Sequence, residues 1–277
     1  MKKTFAILLL WAIILPVFAQ DTVPNCYDEN PLSVNKPYIK SYFTDSWRML
    51  SEPARWQGSD WLKAGAFTAT WLLVYTQDEA IYDFFQRNRS PFTDNLAKYF
   101  FDPLGIGFYS IPVLASMYVY GLSADEQKPK TVALLGLKAW LISGVATQLI
   151  KQITHRHRPH QTHPVNPYLW DGPFSDISYT SFPSGHTVSA FSIATVLAEA
   201  YKDRPWVPVV SYSLATMVGL SRINDQEHWA TDVLAGAVFG HLVGRFVFRS
   251  YINKNCIRLQ AMTSNGYPGL SVRIVLN

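Results

Sequence analysis

Apolar residues are grouped along this chain in runs of helix length, and short polar segments separate the runs. The runs occupy residues 61–76, 103–123, 131–150, 187–198, 205–221 and 229–248. The period-2 alternation of a half-buried strand is absent from them and is indicated only at 270–276. The pattern predicts an all-α fold, a helical bundle with about five to six apolar helices that is integral to a membrane.

The lengths of these runs predict which of them cross the membrane. Residues 103–123 carry no charge and residues 131–150 carry only Lys138, so each run is long enough for a span. The run at 61–76 contains Lys63, and its uncharged part is only about 14 residues, a length more typical of a core or interfacial helix.

The positive charges between the runs indicate an orientation. Lys and Arg residues occur in the loops 124–130 and 202–204 and again after residue 248, which favours the cytoplasmic side for these segments. The long polar loop 151–182 then faces outside. Nearby acidic residues weaken this signal.

The N-terminus has the layout of a secretory signal. Lys2 and Lys3 precede an apolar run from Phe5 to Ile14, and small residues lead to Ala19, after which we expect cleavage. An uncleaved anchor helix is the alternative. In both cases the chain from residue 20 onward begins outside the cytoplasm.

These features divide the chain into four parts. They are a signal peptide at 1–19, a polar and turn-rich extracytoplasmic arm at 20–58, a helical domain at 59–250 and a C-terminal tail at 251–277. Cys26 and Cys256 can form a disulfide only if both lie on one side of the membrane. That bond would place the tail outside and contradict a five-span topology.

Composition and charge narrow the function class. Hydrophobic residues make up 48% of the chain and charged residues 16%, which excludes an intrinsically disordered protein. The net charge is only +4, and the basic residues form no long run, which argues against nucleic-acid binding. A membrane protein and an apolar soluble protein both fit these values.

Three polar stretches carry candidate chemistry, and the first is KQITHRHRP at 151–159. Lys151 and Arg158 are seven residues apart, which places two cations on nearly the same face of a helix. Pro159 disfavours helix at the residue before it, so we expect the helix to end at Arg158. Two cations at a helix end suit an anion; a solvated face is the simpler alternative.

The second stretch is SFPSGHT at 181–187, which opens an apolar run and resembles a helix start. The free N–H groups of a helix N-terminus can bind phosphate oxygens, and Gly185 lets the backbone approach closely. Ser184 adds a hydroxyl donor, and His186 can donate a proton near neutral pH. An ordinary helix cap is the alternative.

The third stretch is SRINDQEHWATD at 221–232. On a helix His228 and Asp232 are spaced to touch, so the carboxylate would fix the imidazole tautomer and leave the other nitrogen free to attack. Arg222 offers a planar fork for phosphate oxygens. A structural His–Asp pair is the alternative. Together the three stretches describe a phosphoryl-transfer site without a metal.

Four histidines surround the first stretch, at positions 155, 157, 160 and 163. They permit a Zn²⁺ site, but a loop that binds anionic headgroups is favoured. We expect no metal and no cofactor.

In order and spacing, the three stretches resemble the signature motifs of the type 2 phosphatidic acid phosphatase (PAP2) superfamily, K-x6-RP, PSGH and SR-x5-H-x3-D. The resemblance implies that His228 is the nucleophile, that Asp232 orients it, and that His186 protonates the leaving group and then assists water. It implies phosphate binding by the remaining motif residues, which are Lys151, Arg158, Ser184, Gly185 and Arg222. It also implies a metal-independent reaction through a phosphohistidine, with a bell-shaped pH profile.

The residues that flank the motifs favour the lipid-phosphatase branch of this superfamily. The expected substrate is a lipid phosphate monoester or pyrophosphate, and the expected location is a bacterial inner membrane with the site facing the periplasm. A soluble periplasmic acid phosphatase is the main alternative. A vanadate haloperoxidase is disfavoured because those enzymes are larger, and a purely phosphate-binding membrane protein is disfavoured because binding needs no nucleophile.

Overall fold

The computed structural model describes residues 31–255, 257–264 and 267–274. The signal peptide predicted at 1–19 and both cysteines lie outside these residues. The first half of the described chain forms six helices: α1 (Lys36–Ser51), α2 (Gly58–Tyr75), α3 (Asp78–Arg87), α4 (Pro91–Leu96), α5 (Asp102–Gly105) and α6 (Ser110–Ser123). A 3-10 turn (Glu52–Arg55) joins α1 to α2, and a π-helical segment (Ala97–Phe101) joins α4 to α5.

The second half contains four long helices and a β-hairpin. They are α7 (Gln127–Thr154), α8 (Gly185–Ala200), α9 (Trp206–Asn224), α10 (Ala230–Asn255), β1 (Ile257–Ser264) and β2 (Tyr267–Ile274). The segment between α7 and α8 is irregular apart from a 3-10 turn (Pro159–Gln161), so the long polar loop predicted at 151–182 is present, although its first four residues belong to α7. Helix α10 continues without a break through residue 250, where the helical domain was expected to end.

Helix α8 lies at the centre of the bundle, in contact with α7, α9 and α10. Buried aliphatic side chains fill the space between these helices, among them Val132 and Leu135 of α7, Val196 of α8, and Val243 and Val247 of α10. Burial of apolar side chains on this scale is the main stabilising contribution in a helical bundle. The bundle therefore holds the N-terminus of α8 in a fixed position relative to α7 and α10.

A row of glycines lets α10 approach α8 more closely than side chains would allow. A Cβ atom added at Gly236 would lie 2.8 Å from the carbonyl oxygen of Ser184, and one at Gly244 would lie 2.5 Å from that of Ser192. At Gly240 the added atom would lie closer still to the carbonyl oxygen of Val188. Small residues at every fourth position form such seams between helices, and this one sets the distance between the two helices that begin at the candidate site.

The run 103–123, which was predicted to be long enough for a span, is divided between two helices and the turn that joins them. Helix α5 ends at Gly105, and α6 begins at Ser110 after a turn in which Gly107 has φ +95, a backbone conformation that favours glycine. The helical segment Pro91–Gly105 and α6 meet at an angle of 49°.

The prediction of five to six apolar helices that are integral to a membrane is wrong for the described residues. Two of their helices, Gln127–Thr154 and Ala230–Asn253, are long and apolar enough to cross a membrane, and the bent pair that includes α6 would make a third. Helix α8 has 16 residues, which rise only about 24 Å, short of a hydrocarbon core of about 30 Å.

The predicted all-α class is confirmed for the bundle, and a short C-terminal hairpin follows it. Strands β1 and β2 pair antiparallel, with Ile257 opposite Ile274 and Ser264 opposite Tyr267. The two residues between the strands in sequence are Asn265 and Gly266, a pair that strongly favours a hairpin turn. The period-2 alternation of apolar and polar residues at 270–276 falls largely within β2.

Part of the predicted N-terminal arm is a helix that packs on the bundle. The hydroxyl of Tyr38 in α1 donates to the carbonyl oxygen of Leu134 in α7 at 2.9 Å, and the ammonium of Lys138 donates to Asp45 at 2.5 Å. Lys138 precedes Lys151 by 13 residues in α7, a rise of about 20 Å. Helix α1 is therefore attached far from the candidate site; its side of the membrane stays a prediction.

The glycine seam generates a stability prediction. We expect Gly240→Ala to lower the thermal midpoint of unfolding by several degrees, since a ΔΔG of 1 kcal/mol shifts the midpoint of a domain of this size by about 2–4 °C. The reason is that the added methyl group collides with backbone that cannot move aside. Gly144→Ala in α7 is the matched control because an added Cβ there meets nothing within 4 Å. Equal midpoints for the two variants would contradict the role of the seam.

Candidate active site

The three polar stretches predicted to carry chemistry meet at one end of the bundle. Lys151 lies in the last turn of α7, Arg222 in the last turn of α9, and Ser184 is the N-cap of α8. A Cβ added at Gly185 would lie 4.0 Å from the Lys151 ammonium nitrogen, so these two predicted residues are neighbours.

Helix α7 ends four residues earlier than predicted, so Arg158 is not on its face. His155 caps the helix in the left-handed conformation (φ 42), and its Nδ1 lies 2.7 Å from the carbonyl oxygen of Gly172. Arg158 follows in extended backbone. The rigid proline at 159 accounts for the extended residue before it, whereas no local pattern predicts a left-handed cap at a histidine.

Lys151 and Arg158 nevertheless converge, through the loop that precedes α8. The ammonium of Lys151 donates to the carbonyl oxygen of Thr180 at 2.6 Å, and Nη2 of Arg158 donates to the Thr180 hydroxyl at 3.1 Å. Arg158 also forms an ion pair with Glu227, the residue before His228. The two cations of the first stretch therefore border the third stretch.

The start of α8 has the features expected of an anion-binding helix terminus. Ser184 is fully buried and its side chain makes no capping hydrogen bond to the first-turn N–H groups. Its hydroxyl instead accepts from the Thr187 hydroxyl at 2.9 Å, and its backbone N–H donates to the carbonyl oxygen of Asp232 at 3.1 Å. N–H groups without a side-chain cap at a helix N-terminus are suited to phosphate oxygens.

His228 and Asp232 face each other, although His228 lies just before α10 rather than on it. Nδ1 of His228 is 3.7 Å from Oδ2 of Asp232, longer than a hydrogen bond, and both side chains are buried. Burial lowers the pKa of His228 to about 3, so the imidazole is neutral at pH 7. Because Nδ1 of this neutral ring faces the carboxylate, Nε2 is the nitrogen that would be available to attack a substrate.

Asp102 links the other histidine to a cation and was missed in the sequence. Its Oδ1 lies 2.5 Å from Nη1 of Arg222 and 3.1 Å from Nε2 of His186. Arg222 also pairs with Asp225. Asp102 immediately precedes the uncharged run at 103–123, and only its position at the edge of that run could have drawn attention to it.

Arg156, between the two predicted cations, was also missed. Its guanidinium is fully buried and lies 2.6 Å from Asp232 and 2.8 Å from Asp78. It also donates to the hydroxyl of Thr231 at 2.8 Å and to the carbonyl oxygen of Pro167 at 2.9 Å. Asp78 lies at the start of α3, and no sequence pattern links it to these partners, which are far away along the chain.

The histidines around the first stretch have separate partners. His157 contacts Asp171 at 2.9 Å and stacks on Tyr179, and His160 contacts the carbonyl oxygen of Gln226 at 2.9 Å. Among the described residues no group of three or more His, Cys, Asp or Glu side chains could hold a metal ion.

Comparison with known proteins supports the resemblance read from the motifs. A family model described as "PAP2 superfamily" matches residues 132–256, a segment that contains all eight predicted site residues. The chain is 51% identical over 65 residues to a lipid A 1-phosphatase of Porphyromonas gingivalis, a match that covers 23% of this chain and 15% of that protein.

A second relative matches over a longer stretch. A probable diacylglycerol pyrophosphate phosphatase of Schizosaccharomyces pombe is 27% identical over 202 residues, which cover 60% of this chain and 72% of that protein. Among solved structures, LpxE of Aquifex aeolicus is similar with a TM-score of 0.47 and 24% identity, covering 62% of this chain and 94% of that one.

The buried neutral histidine generates a prediction about acid stability. The unfolded chain binds a proton at His228 below pH 6.5, whereas the folded protein excludes it down to about pH 3. The stabilisation is therefore complete above pH 6.5 and is lost as the pH falls, by about 1.4 kcal/mol per unit within this window.

We expect the thermal midpoint of the wild type to fall more steeply between pH 6.5 and pH 4.5 than that of His228→Asn. These two pH units lie within the window in which the unfolded wild type binds a proton at His228 and the folded protein does not. The variant serves as the control because all other acidic and basic groups are shared. Parallel pH dependences for the two proteins would show that His228 is accessible to protons in the folded state.

Proposed function

We propose that the protein is a phosphatase of the PAP2 superfamily, whose family model matches residues 132–256, and that it hydrolyses the phosphate monoester or pyrophosphate of a lipid. The observation that carries the proposal is a buried, neutral His228 that faces Asp232 at the same end of the bundle as three cationic side chains. Phosphate binding alone requires the cations but no nucleophile.

The proposed reaction has two steps with histidine as the intermediate carrier. Nε2 of His228 attacks phosphorus and forms a P–N bond while the bond to the leaving oxygen breaks, and His186 gives that oxygen its proton. In the second step His186 takes a proton from water, the hydroxide oxygen bonds to phosphorus, and the P–N bond breaks. Inorganic phosphate leaves and both histidines return to their starting states.

The groups around this centre supply the electrostatic stabilisation. Lys151, Arg158 and Arg222 provide three positive charges for the equatorial phosphate oxygens, and Ser184 and Gly185 provide donors at the start of α8. We propose that the reaction needs no divalent ion, because these cations meet the charge that a metal would otherwise neutralise.

Three observations favour a lipid as the molecule to which the phosphate is attached. The described residues include two helices apolar enough to span a membrane. An apolar cavity of about 170 Å³ lies against the second stretch, lined by Phe67, Thr68, Trp71, Phe182 and Ala235. Both relatives reported above are named for lipid substrates, and an acyl chain is a suitable occupant for such a cavity.

We further propose that the protein resides in a bacterial inner membrane with this site on the periplasmic side. The positive charges in the loops 124–130 and 202–204 support this orientation, because both loops lie at the end of the bundle opposite to the site.

Phosphate release in EDTA tests the reaction and the substrate class together. We expect the purified wild type in detergent to hydrolyse a phosphorylated lipid much faster than a water-soluble monoester, and His228→Ala to abolish both activities. An activity that disappears in EDTA and returns with Mg²⁺ would contradict the proposed mechanism. Equal or faster turnover of the soluble ester would instead identify a soluble-type acid phosphatase.

Filling the apolar cavity tests the assignment of the acyl chain. Ala235 lies on α10 at the cavity wall, so we expect Ala235→Phe to occupy the space and lower the ratio of lipid turnover to soluble-ester turnover. The soluble ester is the internal control, since it shares the phosphate site but has no acyl chain. An unchanged ratio would mean that the lipid chain lies elsewhere.

A further inference from the structure

Three charged side chains form a fully buried chain behind the candidate nucleophile. Asp78, Arg156 and Asp232 have no measurable exposure, and Arg156 lies between the two carboxylates. The rings of Trp170 and Tyr75 cover the guanidinium at 4.7 and 5.1 Å. Buried charges of this kind are stable only when each is paired and hydrogen-bonded, so the three groups are linked in position and in energy.

The two oxygens of Asp232 have different partners. Oδ1 accepts from Nη1 of Arg156 at 2.6 Å, whereas Oδ2 accepts from the hydroxyl of Ser181 at 2.6 Å and from the backbone N–H of Trp229 at 2.9 Å. Oδ2 is also the oxygen that faces Nδ1 of His228. Because Arg156 occupies Oδ1, the carboxylate cannot rotate without breaking a buried ion pair.

Asp78 completes this arrangement from a different helix. It accepts from the backbone N–H of Thr231 at 3.0 Å, from the Thr231 hydroxyl, and from Nη2 of Arg156. Burial raises the pKa of Asp78 and Arg156 opposes that shift. All three of its partners donate, which suits the ionised carboxylate, an acceptor only.

We propose that Asp78 and Arg156 are positioning residues that act on His228 through Asp232. Arg156 fixes the orientation of the Asp232 carboxylate, and Asp78 offsets the charge of Arg156. The three buried groups then carry a net charge of −1 beside the ring of His228.

This surplus charge acts when His228 attacks. The neutral imidazole gains positive charge as Nε2 bonds to phosphorus, and a negative group near Nδ1 stabilises that charge. Without Asp78 the cation of Arg156 would cancel the carboxylate of Asp232. The inference rests on the proposed phosphatase function and adds to it the two residues that set the electrostatics behind the nucleophile.

Asp78→Asn is the sharpest test because it keeps the size of the side chain and removes its charge. We expect kcat on a phosphorylated lipid to fall about 10–100-fold, which is the loss typical when a residue that orients a metal-binding histidine is replaced. We expect KM to be unchanged because the phosphate-binding groups are untouched. Inhibition by vanadate, which mimics the transition state at the nucleophile, should weaken with kcat, and inhibition by inorganic phosphate should not.

Asp45→Asn is the matched control. Asp45 also belongs to a buried carboxylate–cation pair, with Lys138, about 20 Å along α7 from the site. We expect this variant to lower the thermal midpoint and to leave kcat and the inhibition by vanadate unchanged.

Arg156→Lys provides a second test should Asp78→Asn fail to fold. It keeps the charge but replaces the planar fork by a single ammonium, so we expect the same loss of kcat and vanadate inhibition with phosphate inhibition retained. Variants that match Asp45→Asn in kcat, or that lose phosphate and vanadate inhibition together, would overturn the positioning role. A wild type that hydrolyses no phosphorylated lipid would instead contradict the proposed function itself.

Discussion

A carboxylate without access to solvent lies at the start of α10, and much of the surrounding structure follows from the need to compensate its charge. Asp232 accepts hydrogen bonds from Ser181, from the backbone of Trp229 and from Arg156. Ser181 and Arg156 come from the two ends of the long loop between α7 and α8. One buried charge thus holds both ends of that loop, and with them the flanking cations, against the helix that follows His228.

The glycine seam between α8 and α10 holds the N-terminus of α8 at a fixed distance from Asp232. Because the two helices touch backbone to backbone, the N-cap Ser184 donates directly to the carbonyl oxygen of Asp232. Packing and electrostatics therefore reinforce each other, since the seam sets the separation of the helices and the hydrogen bonds set their register. A site built this way depends on rigid elements rather than on the conformation of side chains alone.

The sequence predicted the parts of the site that are local in the chain. The helix start at Ser184 and Gly185 follows from a proline, a small capping residue and an apolar run, and the pairing of His228 with Asp232 follows from their spacing. The charges that complete the site could not be read in this way. Asp78 lies 78 residues from Arg156, and no local pattern links residues that meet only through the tertiary fold. The number of spans was overestimated because apolar runs inside a bundle can be buried by other helices as well as by lipid.

Two of the three cations at the candidate phosphate site, both arginines, are already paired with carboxylates. Arg158 pairs with Glu227, and Arg222 pairs with both Asp102 and Asp225. In the proposed reaction, phosphate binding at the two arginines would therefore be an exchange of counter-ions. Each carboxylate that the proposed substrate displaced would stay attached nearby and would compete to return, which would limit the affinity for the released inorganic phosphate. The acidic neighbours of the two arginines would thus speed product release. The ion pairs that hold the arginines in position before the reaction would form again as the phosphate leaves.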